Sequence, residues 1–141
     1  MFRRRTGVDL VHEPQVELFF EAIDRLEDAE LLRLRAVWRQ AGKEAHEKAW
    51  AEVRAVGERD DLTDAIGKVR DRAVAWAQRG SNRPAPYLAD DRYWLEMKIE
   101  ASEAIVDAAL AVALGDRLDA GTRSALLGPW LSVRPDWEGR S

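Results

Sequence analysis

Cysteine is missing from this chain of 141 residues. That excludes disulfides, thiol nucleophiles and thiolate metal sites, and it fits a reducing compartment. Histidine occurs only twice, as His12 and His46. Neither two histidines one helical turn apart nor a Glu-x-x-His pair on a helix is present, so a zinc helix or a di-iron carboxylate site is not expected. No phosphate-binding P-loop, dinucleotide-binding glycine pattern, nucleophile elbow or EF-hand loop occurs either. No cofactor is expected. Lysine is scarce, 4 residues against 18 arginines within a Lys+Arg total of 22. The arginine excess and the frequent alanines look like the codon bias of a GC-rich bacterial genome.

The uncharged run Ala108 to Gly115 is far too short to cross a bilayer. The start, MFRRRTGVDLV, carries basic residues without the apolar run of a signal peptide, so a soluble cytoplasmic protein is the expectation. A net charge of −4 and a pI near 5.3 argue against binding nucleic acid through general phosphate attraction. Arg3, Arg4 and Arg5 are expected to form a solvated tail. Nowhere do β-branched residues alternate over a strand's length, so the class is all-α.

What is present is helical periodicity. The spacing predicts a flexible arm over residues 1–13 and a single all-α domain over 14–141. Pro14 suits a first helical turn, and Val16, Phe19, Phe20, Ile23 and Leu26 follow at helical intervals. A long second helix is predicted over about 28–57. Its stripe is Leu31, Leu34, Trp38, Ala41, Ala45, Ala49, Val53 and Val56, with Gly42 taken as a point of close helix approach and Gly57 as a turn. A third helix is predicted over 62–79. The stretch 80–87, with Pro84 and Pro86, is an inter-helix loop. A short C-terminal helix over 119–127 is stopped by Gly128 and Pro129. The architecture expected is a bundle of four main helices plus that short one.

The 90–115 helix is predicted to be central, because only Glu96, Glu100, Glu103 and Asp107 mark a polar strip on an otherwise apolar circumference. So much apolar surface motivates the expectation of a homodimer. The strip itself is expected to be where the helix meets water. The alternative is a Mg²⁺ or Mn²⁺ site, since clustered helical carboxylates suit hard cations. Glu100-x-x-Glu103 resembles half of the paired-carboxylate site of all-α nucleotide pyrophosphohydrolases. The nearest second pair, Glu21-x-x-Asp24, precedes it rather than following. The direction in which the four carboxylates face decides between water and chemistry, because buried carboxylates need partners.

Arg39 and His46 are the second candidate. Seven residues apart, they fall on one side of the predicted second helix, about 10 Å apart along its axis. The pair resembles the arginine and histidine of HEPN ribonucleases, small all-α dimers in which the two line a cleft; the resemblance covers two residues and the fold class. The plainer reading places His46 at the polar edge of the stripe near Trp50.

Six tryptophans are the third feature. Trp38, Trp76 and Trp94 lie on apolar faces, with their N–H groups expected to reach polar partners at the edge. Trp130 and Trp137, with Leu126, Leu127 and Val133, are expected to cover an open end of the bundle; the alternative is that they, together with Trp50 and with Tyr87 in the proline loop, form a partner-binding surface. The function expected is therefore a non-enzymatic interaction or assembly module, with a protein partner or a second copy as its ligand. The alternative is a small hydrolase of nucleotides or RNA, working through the acidic strip or the Arg39 and His46 pair. A small-ligand pocket among the tryptophans is a third possibility.

Overall fold

The computed structural model describes residues 13–80 and 91–137. Six α-helices occur among them: α1 (Glu13–Ile23), α2 (Asp28–Ala41), α3 (Lys43–Arg59), α4 (Thr63–Gly80), α5 (Asp91–Leu114) and α6 (Ala120–Val133). A short 3₁₀ turn, Gly115–Arg117, links α5 to α6. The class is all-α, as the periodicity predicts. Of the arm predicted over residues 1–13, Glu13 opens α1 and residues 1–12 lie outside the described residues, as do the loop carrying Tyr87 and the side chains of Trp94 and Glu96.

Helix α5 is the axis of the domain. Its neighbours are α4, α6, α2 and α1, and every residue from Ala104 to Gly115 is buried. Alanine at 104, 108, 109, 111 and 113 makes this possible, because a methyl side chain lets four helices approach one axis without voids. Ile105, Leu110 and Leu114 fill the spaces between. The cover over this stretch comes from within one chain, so its apolar surface supplies no reason for a dimer.

The predicted 28–57 helix is broken. Gly42 stands between α2 and α3 with φ +89° and ψ 154°, a conformation essentially confined to glycine. Around it Ala41 and Ala45, read from the sequence as stripe residues, are exposed. Both fit the phase of the stripe, yet burying a methyl would contribute too little to hold a helix straight. The close approach belongs to Gly57 instead, inside α3, where an added Cβ would lie 3.0 Å from Cδ1 of Ile66 on α4. Nothing lies within 4 Å of a Cβ placed on Gly42. Gly42→Ala should therefore act through the backbone alone, lowering stability by about 1–3 kcal/mol in urea denaturation.

Capping explains the other boundaries. At the start of α2 the Glu30 carboxylate accepts from the backbone N–H of Glu27 at 3.0 Å. Asp119 opens α6 by accepting from the N–H of Thr122 at 2.8 Å and from its hydroxyl at 3.1 Å. That helix does not stop at Gly128-Pro129 but continues through Pro129 to Val133. A proline inside a helix costs about 3 kcal/mol. Burial of Leu126, Leu127, Pro129 and Trp130 offsets that, because continuing the helix sends Trp130 into the core rather than out of it. The domain thus has one break more, and one longer helix, than the sequence pattern indicates.

Candidate functional site: a buried aspartate where three helices meet

The acidic strip of α5 does not face water uniformly. Glu103 is exposed, Glu100 is half-buried, and Asp107 is only 4% exposed. Asp107 is the one residue with a polar side chain in the buried stretch Ala104 to Gly115. Its expected place at a wet edge is thus corrected, and the reason is visible in its partners.

Three donors converge on its carboxylate. Nε1 of Trp38, from α2, donates to Oδ2 at 3.1 Å. Nε1 of Trp50, from α3, donates to Oδ1 at 2.7 Å. Nδ1 of His46, also from α3, lies 2.8 Å from Oδ2. The rings stack around the acid, with Trp38 edge-on to His46 at 5.4 Å and His46 tilted against Trp50 at 6.2 Å. Helix α3 lies mainly along α6 and α4, and reaches α5 through His46 and Trp50.

Burial pushes the Asp107 carboxyl above its ordinary range, and the hydrogen bonds from Trp50, Trp38 and His46 pull the other way. Glu103, one turn earlier, is raised as well, first by partial burial of its carboxyl group and then by the neighbouring charges of Asp107 and Glu100, against the lowering effect of His46. Two turns from Asp107, Glu100 accepts from Nε of Arg35 at 2.5 Å, and Nη1 of Arg39 stands 3.7 Å from the same oxygen.

Arg39 and His46 are therefore held at opposite ends of one strip, on carboxylates about 10 Å apart by helical rise. Gly42 sits between them, so they do not share a helix face in the way the HEPN resemblance implies. Among the described residues no group of three or more His, Asp or Glu side chains is placed to hold a metal ion. Nor is any helix among them long and apolar enough to cross a membrane.

No protein family, curated protein or solved structure matches the chain. Its chemistry is read from its own geometry.

The aromatic candidates separate cleanly. Trp130 is fully buried, edge-on to Phe19 at 4.8 Å and to Trp137 at 5.5 Å, so it cannot present itself to a partner. Phe19 of α1 and Trp137, beyond the end of α6, pack against it. Trp50 is half-buried and its N–H is spent on Asp107, which leaves only part of its ring at the surface. Trp137 remains half-buried and lines an open groove with α1. The polar partners expected for core tryptophans are found for Trp38, on Asp107, and for Trp76, which donates to Asp24 at 3.0 Å.

Arg35 and Trp38 are the site residues that the sequence reading did not group with the strip. A signal for them exists: one acid in an alanine-rich buried run requires donors, and Trp38 is an indole on a neighbouring stripe.

Proposed function

We propose that the chain is a non-enzymatic assembly module whose polar cluster fastens helices instead of transforming a substrate. The observation that carries this reading is that most of the Asp107 carboxylate is already occupied. A carboxylate offers about four acceptor positions, and three are taken by side chains of α2 and α3. The group best placed to act as a base or a ligand is thus spent on joining two helices, across the Gly42 break, to the axis of the domain. Arg35 and Arg39 are similarly directed at Glu100.

A second reading has one observation in its favour. Fixing Nδ1 of a histidine on a buried carboxylate, while its side chain remains 27% exposed, is how a general base is oriented, and the other ring nitrogen is then the acceptor. Arg39 at the rim would suit a phosphoryl group.

Incubation with a panel of nucleoside triphosphates and single-stranded RNA, with Mg²⁺ or Mn²⁺ and without, separates the two. The assembly reading expects no hydrolysis above a protein-free control and no rise in melting temperature. Turnover that disappears in both His46→Gln and Asp107→Asn would replace it with the hydrolase.

A further inference from the structure

Helix α1 has two unlike faces. Val16, Phe19, Phe20 and Ile23 are buried against the rest of the domain. Pro14, Leu18, Glu21 and, just past the helix end, Arg25 fall on one line at intervals of three and four residues, and all four are exposed. Leu18 is 47% exposed, the highest value among the large exposed hydrophobics of the described residues. Beside this line runs a groove of about 550 Å³, lined by Leu18, Glu21, Ala22 and Arg25 on one side and by Arg134 and Trp137 on the other. Arg134 is already engaged by Glu30. Glu21 and Arg25 form no ion pair among the described residues.

We propose that this face is where a second copy of the chain docks, about a two-fold axis that passes beside the C-terminal end of α1. The charges argue for that occupant. In an antiparallel pair, residue i of one copy meets residue j of the other and the reverse holds by symmetry. Glu21 then faces the partner's Arg25, and Arg25 faces the partner's Glu21, so the patch is complementary to itself. Ala22, beside that axis, is small enough to let the two copies approach, and Leu18, one turn further from it, leaves water on both sides. The groove is of a size that takes side chains, and Trp137 provides an aromatic wall. The inference rests on the assembly reading above and gives it a partner.

Light scattering tests it on the full chain at about 100 μM, a concentration chosen to reveal a micromolar dimer. The expected mass is twice the 16.0 kDa of one chain. Leu18→Glu should return the single mass while keeping the wild-type helical circular dichroism, because the side chain it alters is half in water. Glu21→Arg and Arg25→Glu should each weaken the dimer by about tenfold through like-charge contacts. The double variant E21R/R25E should restore it, which a loss of folding could not do. A single-chain mass at that concentration overturns the proposal, and so does a dimer indifferent to Leu18→Glu. Neither result would produce hydrolysis, so the failure of this inference and the failure of the assembly reading are distinguishable.

Discussion

Asp107→Ala is expected to lower the stability of the domain by about 3–5 kcal/mol, the loss typical of removing one member of a buried, hydrogen-bonded polar group. Alanine leaves the indole N–H groups of Trp38 and Trp50 and one nitrogen of His46 without an acceptor, at a site where the native residue is only 4% exposed. Each orphaned donor costs about 1–3 kcal/mol where water cannot reach it, and His46 can recover part of its share by turning outward. Asp107→Asn keeps an acceptor oxygen of the same shape and removes the charge, so about 1–2 kcal/mol is expected there. Urea denaturation of the three proteins at neutral pH is the measurement. If alanine and asparagine cost equally little, the cluster does not hold α2 and α3 to α5.

The same pair reads the titration. Because burial raises the Asp107 carboxyl, the folded state binds its proton more tightly than the unfolded chain does. The stabilisation from that proton is fully present below the unfolded value of about 4 and is lost as pH rises through the folded value. An asparagine at this position cannot titrate. Wild type should therefore gain on Asp107→Asn as pH falls through that window, and the difference between the two free energies isolates this group from the other carboxylates.

The fold was legible where burial and periodicity agree. Alanines alternating with Ile105, Leu110 and Leu114 announce a helix covered on several sides, and residues 104–115 are so covered. It was illegible where small residues leave the pattern undetermined. Ala41 and Ala45 satisfy a helical stripe equally well in a straight helix or in two helices meeting at an elbow, and only the backbone at Gly42 chooses. Pro129 misleads for the opposite reason, because a local rule with a definite cost is overridden by a larger burial energy that depends on distant residues such as Phe19. The site was half legible. The sequence isolates Asp107 as one of four carboxylates but not as the one turned inward, since its donors come from positions 57 to 69 residues away. The same distance hides the pairing of Arg35 with Glu100.

Trp130→Ala should be the most damaging aromatic substitution, at about 3–5 kcal/mol, because it empties the contact of a fully buried indole with Phe19 and Trp137. Trp130→Phe is expected to behave differently. The indole nitrogen of Trp130 is buried without a hydrogen-bond partner, a situation that costs about 1–3 kcal/mol. Phenylalanine removes that nitrogen and keeps an aromatic ring for edge-on contact, while the lost volume works against it. The two effects are of similar size, so stability within about 1 kcal/mol of wild type is expected. Thermal unfolding of both variants decides the matter: a phenylalanine variant as damaged as the alanine one would mean that the indole N–H is satisfied in solution. The guanidinium of Arg134, 5.8 Å from the same ring, adds a check, because Arg134 also engages Glu30 at the start of α2. That pairing holds the Glu30 carboxyl below its ordinary range. If the phenylalanine variant keeps the aromatic cluster intact, its Glu30 resonance should titrate as it does in wild type, whereas the alanine variant should release Arg134 and let that carboxyl rise toward the usual glutamate value.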